Sequence, residues 1–595
     1  MLVERRRSAL PFDFLIRVGA AWVIICALLV AINWSAMATL RFPDGDDTLR
    51  LVQVRDLLGG QSWFDVTQYR ADAPNGGVLM HWSRLVDIPI ALVILILTPL
   101  LGSANAELAA LVAVPLITLG FAMVLAARIA WRLLGDEETN FTALIVALSV
   151  PVITQLAPLR IDHHGWQLVF ILAALNGLMA RSAIKGGLVI GGSLAALLAI
   201  SVEGLPISVI FCAVLALRWL REPKERAWLV HTMQALAFIS VALFLVTRGA
   251  SDLVAHCDAI SLPHLGIFAW GALALGVLAR LEPVPMAVRL VGMGATAAGA
   301  LGFVLWAAPQ CASGGGFAEL DPLVHDYWYI HVMEGMPVWL QSLDVALQYA
   351  VVPFIGLYAA VTLAGRSRDW LRGFWRDYAL VLAGAILVSL LVARAGAAAC
   401  LIAAPPLAWQ LNQWLRALRT MKSPLPRMAG LVAVACALMP TLPLTFANLL
   451  IPASQAAAGS SAAGQLKESN CDIAASSDVL NALQPGEAFV PLHAGPQVLA
   501  FSHHSVIATS HHRGNTAMKA VIEMAMAPAD EARAMMAARG TQYVFLCPNL
   551  IEPRNYAYAA PQGFMADLIE DRAPAWLAPV EAAEGTTLKI WKVAR

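Results

Sequence analysis

The sequence is dominated by long apolar runs of roughly 17–25 residues, the length that a helix needs to cross the hydrocarbon core of a bilayer. Charged residues make up only 13% of the 595 residues. An average soluble protein has about 25% charged residues, so this chain has too few polar groups to coat a soluble surface. The sequence therefore predicts an α-helical polytopic membrane protein and excludes a soluble enzyme with a single anchor.

Basic residues predict the orientation, because cytoplasmic loops carry the excess of Lys and Arg. The run at 5–7 is all Arg, which puts the N-terminus inside. Later basic clusters all fall on the same side if residues 87–102, a short piece flanked by Pro89 and Pro99, are interfacial or re-entrant. The pattern then predicts about 13 spans in the plasma (inner) membrane. They lie near residues 14–38, 107–133, 141–158, 166–183, 186–202, 204–219, 228–247, 265–279, 289–308, 345–364, 378–393, 396–411 and 428–450.

Three polar segments fall on the outside in this topology: 39–86, 308–345 and the tail 451–595. The tail opens with an Ala/Ser/Gly linker at 453–464, which is flexible by composition. Beyond it, strand-like runs alternate with a helical run at 516–538. The strand-like runs are Phe489–Leu492, Gln497–Ala500, Tyr543–Cys547 and Thr587–Val593. We therefore expect a transmembrane domain over 1–450 and a small α/β domain, periplasmic or extracytoplasmic, over 451–595.

Composition removes other classes of function. Lys and Arg together number 40, as do Asp and Glu, so the net charge is zero. Nucleic-acid binding requires a basic field, and we expect no nucleic-acid partner. Eight Cys are too sparse for a disulfide scaffold, and none has metal-type spacing. Cys471 with Cys547 could form a disulfide on the outside, as could Cys257 or Cys311, but pairing cannot be read from sequence.

An acidic cluster follows the first span. Asp44, Asp46 and Asp47 place three carboxylates within four residues, and these repel one another unless a cation or an Arg neutralises them. Such oxygen-rich clusters suit Mg²⁺ or Mn²⁺. The alternative is a solvated turn, which Asp and Gly both favour.

A second polar cluster, Asp162-His163-His164, lies at the outer end of the third span. Ionisable groups at a membrane boundary are expensive and usually functional. Asp and His can supply an oxygen and a nitrogen ligand to a divalent metal. An interfacial polar cluster is the alternative, but two such clusters on one face favour a shared metal site.

Two further signals are weaker. The loop 308–345 contains Glu334 and a Gly-rich stretch, and it could fold over a substrate or simply form an aromatic belt. Arg394 is a single cation at an outer boundary, where it could bind phosphate or extend to lipid headgroups. Glu203 lies at an outer loop tip, where it could merely end a helix.

The tail has a His-rich patch of its own. Its members are His493, His503, His504, His511 and His512, followed by Arg513. They could bind a metal or the phosphate of a donor, although no regular ligand spacing indicates structural zinc. A solvated surface is the alternative.

These signals, in this order, resemble the GT-C glycosyltransferases, and most closely the catalytic subunit of oligosaccharyltransferase in its archaeal form. That family has an Asp six residues before an Arg in its first outer loop, as do Asp44 and Arg50, and an Asp-His-His in its second. A later loop has Ser-Val-Ser-Glu followed by Pro, similar to 331–337 here, and an Arg near the eleventh span corresponds to Arg394. The resemblance covers most of residues 1–450.

The resemblance implies roles for individual residues. Asp44, Asp162 and His164 would be ligands of Mn²⁺ or Mg²⁺, although Asp46 or Asp47 could replace Asp44. Glu334 would contact the acceptor or the residues around the metal, and Arg394 would bind the donor phosphate. Asp44 or Asp47 would orient or deprotonate the acceptor.

One departure concerns the acceptor. The family's tail domain reads an acceptor peptide with a Trp-Trp-Asp-Tyr-Gly block, which this sequence lacks. The acceptor could therefore be a lipid, a glycan or a protein, and 511–513 could substitute as an acceptor- or donor-facing element. We expect transfer of a sugar from a polyprenyl-phosphate or -diphosphate donor on the outer face of the membrane. A transporter or flippase, or a non-catalytic binder of lipid-linked glycans, is the alternative.

Overall fold

The computed structural model describes residues 10–313, 317, 319–450, 471–582 and 585–594. The linker 453–464 and the basic run at 5–7 therefore lie outside the described residues. Up to residue 450 the described chain is mainly helical. Its helices are Phe12–Ile32, Trp34–Ala38, Gly45–Leu58, Arg84–Leu101, Ser103–Leu133, Asp136–Leu148, Val150–Ile153, His164–Gly177, Ala183–Ile200, Leu205–Arg221, Arg226–Thr247, Leu262–Arg280, Met286–Ala307, Pro322–Tyr327, Leu343–Arg366, Asp369–Leu391, Gly396–Thr420, Pro424–Leu438 and Leu442–Leu450.

Ten helices in the described part of the chain are long and apolar enough to cross a membrane, which confirms a multi-pass membrane protein. Nine of them coincide with predicted spans. The tenth is Arg84–Leu101, where we expected an interfacial or re-entrant piece too short to span. That expectation about length is wrong, because Ser83 caps the helix and both Pro89 and Pro99 lie inside it. Membrane helices tolerate such prolines when neighbouring groups satisfy the freed carbonyls.

Of the four remaining predicted spans, 396–411 lies within the continuous helix Gly396–Thr420, and the other three are less regular. Residues 141–158 divide into Asp136–Leu148 and Val150–Ile153, and residues 428–450 divide into Pro424–Leu438 and Leu442–Leu450. Residues 166–183 form only the 14-residue helix His164–Gly177. The total of about 13 spans therefore stays a prediction.

The tail folds as a small α/β unit around a five-stranded sheet. Its strands are β3 (Glu487–Phe489), β4 (Ser505–Val506), β5 (Tyr543–Leu546), β6 (Leu577–Val580) and β7 (Lys589–Val593), after a hairpin of β1 (Thr67–Gln68) and β2 (Val78–Leu79) earlier in the chain. The order is β4-β3-β5-β7-β6, parallel across β4, β3 and β5 and antiparallel beyond. The tail helices are Ser477–Ala482, Gly495–Phe501, Asn515–Met526, Ala529–Arg539, Ile551–Ala559 and Phe564–Ile569.

Two details of the tail differ from the prediction. The strand-like run Gln497–Ala500 lies inside the helix Gly495–Phe501, because Pro496 starts a helix well. The helical run 516–538 is two helices separated at Pro528, which cannot continue the first one.

The segment 39–86 is packed against the tail. Ala71 bridges to Val506 as an added parallel partner, and Val78 and Trp82 share an apolar core with that strand. The Arg70 guanidinium donates to the carbonyls of Leu499 at 2.6 Å and Ser502 at 2.8 Å. The first loop and the tail therefore form one body of structure.

The segment 308–345 is packed in the same way. Val324 and Trp328 are buried in the apolar core of the tail. Oδ2 of Asp321 forms an ion pair with Nζ of Lys519 at a distance of 2.9 Å. The short helix Pro322–Tyr327 is thus an integral part of the tail core, although about 160 residues separate it from Glu487, the first residue of the tail sheet.

Two disulfides join parts of this assembly. Cys257 is bonded to Cys311, and Cys471 to Cys547. The second closes the N-terminal end of the described tail onto the end of β5. The sequence identified the four cysteines but not their pairing.

Candidate functional site

The acidic cluster lies at the start of the helix Gly45–Leu58. Asp44 is the N-cap of this helix, and its carboxylate accepts the backbone N–H of Asp46 at 3.1 Å. Asp46 lies 3.0 Å from Nε2 of His511 in the tail. Asp47 is fully buried, whereas Asp44 keeps about 38% of its side chain exposed. The three carboxylates therefore point to three different surroundings.

Asp47 connects the acidic cluster to the Asp-His-His segment. Its Oδ1 accepts the backbone N–H groups of Ile161 at 2.8 Å and Asp162 at 3.0 Å. Its Oδ2 pairs with Nη1 of Arg160 at 3.0 Å, and Asp44 lies 3.5 Å from the same nitrogen. Arg160 supplies the cation that neutralises this group of carboxylates.

The Asp-His-His segment has one carboxylate and two imidazoles close together. Asp162 accepts the backbone N–H of His164 at 2.9 Å, and its other oxygen lies 3.7 Å from Nε2 of that histidine. The rings of His163 and His164 have centroids 4.3 Å apart. Glu203 approaches from the next loop, with Oε2 at 3.6 Å from Nε2 of His163.

Arg394 and Glu334 complete this group. The guanidinium of Arg394 forms ion pairs with Glu203 and, at 3.2 Å, with Glu334. The Ala393 backbone N–H donates to the carbonyl of Met336 at 3.0 Å, which ties the two segments together. Arg394 is therefore held between two carboxylates from different loops.

We call these residues the polar cluster. Its members are Asp44, Asp46, Asp47, Arg160, Asp162, His163, His164, Glu203, Glu334 and Arg394. They come from five separate segments of the chain. The structure thus brings together the four stretches on which the family resemblance rested.

The cluster has the donor set for a divalent metal. His163, His164 and Glu203 each offer one ligand atom, and these atoms lie within 4.8 Å of one another. Asp162 Oδ2 is buried without a hydrogen-bond partner among the described residues, as are both ring nitrogens of His163. Unsatisfied buried nitrogen and oxygen atoms are costly unless something binds them. The residues present therefore fit Mn²⁺ or Mg²⁺, as well as a more nitrogen-preferring ion such as zinc.

The group His163, His164 and Glu203 is an alternative to the expected ligands Asp44, Asp162 and His164, which stay a prediction. The structure brings Asp162 and His164 together, and Asp44 lies 3.5 Å from Nη1 of Arg160. Among the described residues, His163 and Glu203 have the tighter spacing to His164. Glu203 is the residue whose position in the sequence gave the weakest signal.

The carboxylates of the cluster differ in the direction in which their pKa is shifted. Burial raises the pKa of Asp44, and the neighbouring charge of Asp46 raises it further. For Asp162, burial alone would raise the pKa, but the charges of His164 and Arg160 outweigh it and hold the pKa below its usual range. Asp46 has a depressed pKa for a similar reason, since the His511 imidazole outweighs burial. Asp46 and Asp162 are thus carboxylates at neutral pH.

The two predicted tail residues differ in position, because only His511 contacts the polar cluster. His511 contacts Asp46 and packs edge-on against Trp82. Arg513 is bound to Asp258 through two nitrogens, each at 2.7 Å, and His512 also lies 2.7 Å from that carboxylate. Arg513 therefore fixes the tail to the loop 253–261 and is not joined to the polar cluster by any described ion pair.

Sequence comparison finds nothing for this chain: no protein-family model matches, and no protein of curated function matches. Structure comparison gives a clear result. The chain shares the fold of the archaeal oligosaccharyltransferase AglB from Archaeoglobus fulgidus in complex with an inhibitory peptide and a dolichol-phosphate, with a TM-score of 0.66, which confirms the predicted fold. The match covers 96% of this chain and 72% of that chain, at 13% identity.

Two further structures of the Archaeoglobus fulgidus oligosaccharyltransferase agree with this result. The apo form has a TM-score of 0.64 at 14% identity, covering 94% of this chain and 73% of that chain. A complex with Zn and sulfate has a TM-score of 0.58 at 14% identity, covering 96% and 73%. At such low identity the likeness establishes the fold alone.

Proposed function

We propose that this chain is a glycosyltransferase that moves a sugar or oligosaccharide from a polyprenyl-phosphate or -diphosphate donor to an acceptor, with help from a divalent metal. The observation that carries the proposal is the convergence of five chain segments in the polar cluster, in a protein with this fold. The similar protein from Archaeoglobus fulgidus has been solved with dolichol-phosphate. We infer that the donor here presents a phosphate of the same kind.

The residues divide the work as follows. His163, His164, Glu203 and Asp162 would hold the metal, with Asp44 as the ligand from the first loop once a donor binds. A divalent ion there would stabilise the negative charge that develops on the leaving phosphate. Arg394 offers a guanidinium fork to the phosphate oxygens. It would exchange its contact with Glu334 for one with the donor, which leaves that carboxylate free to contact the acceptor.

The orientation follows from the charge pattern. The polar cluster and the tail lie on the outer side, with the N-terminus in the cytoplasm, so the donor headgroup would be met at the outer surface of the membrane. A flippase is the competing class. A flippase would need ionisable groups along a path through the spans. Here Asp162, Glu203 and Arg394 instead lie in the short segments between helices.

The first test is the thermal stability of the purified protein with and without Mn²⁺. A ligand that binds the native state raises the melting temperature by mass action. We expect a shift in the wild type that is absent from Asp162→Ala, and Asp478→Ala in the tail serves as a control that keeps the shift. Cleavage of a polyprenyl-diphosphate-linked sugar then separates an enzyme from a binder. Flipping of that lipid without cleavage would favour the flippase.

A further inference from the structure

We propose that the acceptor is a hydroxyl group and that His493 is the general base that removes its proton, with Glu552 orienting the imidazole. The inference rests on the proposed function and deepens it by naming the class of acceptor and a residue that would act on it. His493 had no role beyond the His-rich patch in the sequence.

The position of His493 is the first argument. It follows β3, which lies between β4 and β5 in the parallel part of the sheet. Ligands of α/β sheets bind beyond the carboxyl ends of parallel strands. The next helix, Gly495–Phe501, packs on the helix that Asp44 caps, and a Cβ on Gly45 would lie 3.5 Å from Cγ of Pro496. His493 therefore lies two residues before a helix that packs on the acidic cluster, close enough to interact electrostatically with Asp44.

The hydrogen bonds of the pair are the second argument. Nδ1 of His493 lies 2.6 Å from Oε2 of Glu552. That carboxylate also accepts the backbone N–H groups of Leu492 at 2.6 Å and His493 at 3.0 Å, and the hydroxyl of Tyr556 at 2.9 Å. Four donors fix the carboxylate, which can only accept. The hydrogen of the neutral imidazole must then sit on Nδ1, so Nε2 has a free lone pair.

Exposure is the third argument. The His493 side chain is 45% exposed, while that of Glu552 is only 5% exposed. A surface ion pair would leave both groups in water, whereas here the orienting group is buried and the imidazole alone is open. A base held by a buried third group is the arrangement that activates hydroxyl nucleophiles in unrelated enzymes.

The charged and titratable groups around His493 suit a base. The negative charges of Glu552 and of Asp44 in the first loop both act on the imidazole. His331 in the loop 308–345 also interacts with it electrostatically. Desolvation lowers the pKa of His493, but the hydrogen bond and charge of Glu552 outweigh it, so the pKa lies above its ordinary value. A higher pKa strengthens the imidazole as a proton acceptor.

The chemical step balances without another reactant. The acceptor oxygen forms a bond to the anomeric carbon, and the bond from that carbon to the phosphate oxygen breaks. Its electron pair leaves with the polyprenyl phosphate or diphosphate. The hydroxyl proton moves to Nε2 of His493 and then to solvent. An amide acceptor fits this base less well, because its nitrogen lone pair is delocalised into the carbonyl.

The test uses two synthetic donors, a polyprenyl phosphate and a polyprenyl diphosphate, each carrying radiolabelled N-acetylglucosamine. Water and added methanol serve as hydroxyl acceptors, and the products are free sugar and methyl glycoside. We expect His493→Ala to lower both rates by about 100-fold or more, the usual contribution of a general base. Added imidazole should restore part of the rate, which would also show that the variant is folded. His503→Ala, at an exposed histidine in the same domain, is the matched control.

Glu552 is a positioning residue, so its test is the pH profile. Because Glu552 raises the pKa of His493, Glu552→Gln should shift the rise of the rate to lower pH. Tyr556→Phe removes one hydrogen bond but keeps the charge, and it should leave the profile in place. A pair that only stabilises the tail would lower the rate in both variants without moving the profile.

The failures can be told apart. If the wild type cleaves neither donor with either acceptor, the proposed function fails and this inference fails with it. If the wild type is active while His493→Ala keeps its rate and its pH profile, the inference alone is overturned. Transfer to a peptide amide in preference to methanol would also overturn it.

Discussion

Oδ1 of Asp47 accepts the backbone N–H groups of both Ile161 and Asp162, at 2.8 and 3.0 Å. A single buried carboxylate therefore sets the distance between the first-loop helix and the metal-ligand candidates. The resemblance offered Asp47 as a possible ligand or acceptor base. Its two oxygens are already occupied by these groups and by Arg160, so we propose that Asp47 positions the cluster.

The first prediction concerns this carboxylate. Asp47→Ala leaves two buried N–H groups unpaired and weakens the neutralisation of Arg160, and breaking a buried charge pair costs roughly 3–5 kcal/mol. We expect a lower melting temperature and loss of the Mn²⁺-induced shift. Asp326→Ala removes an exposed carboxylate and should change stability by less than about 0.5 kcal/mol. A stable Asp47→Ala variant that still responds to Mn²⁺ would contradict the positioning role.

The second prediction concerns Arg394. Its guanidinium contacts Glu203 and Glu334 at once, a geometry that a lysine point charge cannot reproduce. Hydrogen bonds to charged groups contribute about 1.5–3 kcal/mol. Arg394→Lys should therefore weaken binding of undecaprenyl phosphate by roughly 10- to 100-fold, measured by calorimetry in detergent.

Arg416→Lys is the matched control for that measurement. Arg416 pairs with Glu137 at 2.9 Å, and this pair has no described contact with the polar cluster. It should leave the affinity unchanged. Equal affinity in wild type and Arg394→Lys would remove Arg394 from the donor site.

The third prediction is a pH dependence at Asp258. Burial raises its pKa, but hydrogen bonds from Arg513 and His512 outweigh burial and depress the pKa well below its usual range. A depressed pKa contributes stability that is complete above the unfolded value of about 3.9 and is lost as the pH falls toward the folded value. We expect the melting temperature of the wild type to decrease once the pH is lower than about 4. The Asp258→Asn variant should have a lower melting temperature at neutral pH and lose less of it on acidification. Parallel curves of melting temperature against pH for the two proteins would contradict the linkage.

The fourth prediction compares the two disulfides. In the chain-entropy account, closing loops of 54 and 76 residues would each contribute about 4 kcal/mol. However, Cys257 and Cys311 flank the helices Leu262–Arg280 and Met286–Ala307, which the membrane restrains even when the protein unfolds. Replacing Cys471 and Cys547 with Ser should therefore lower the melting temperature more than replacing the other pair. The reverse order would contradict this reasoning.

Much of the fold could be predicted from sequence because long apolar runs are typical of membrane helices. The errors have local causes. The helix Arg84–Leu101 starts earlier than its apolar run, so counting apolar residues alone made it too short. The run Gln497–Ala500 is apolar enough for a strand, but the proline before it and the tertiary packing against Gly45–Leu58 favour a helix. Short apolar runs do not distinguish the two states.

The candidate site was partly predictable for a related reason. Asp44, Asp162 and Arg394 are visible because ionisable residues are rare in an apolar chain. Glu203 gave only a weak signal and Glu552 gave none, because their significance depends on which histidines they contact in the fold. No sequence pattern predicts the contact between His493 and Glu552, which lie 59 positions apart.

The burial of Val324 and Trp328 in the tail core has a consequence for how the protein is made. Ribosomes synthesise the helical part first, so the segment that carries Glu334 emerges long before the residues that cover it. Until the last strands Leu577–Val580 and Lys589–Val593 are complete, that segment lacks its apolar partner and Glu334 lacks its fixed place. A nascent or C-terminally truncated chain should therefore be inserted in the membrane without an assembled polar cluster, and the cluster can form only after synthesis of the tail is complete.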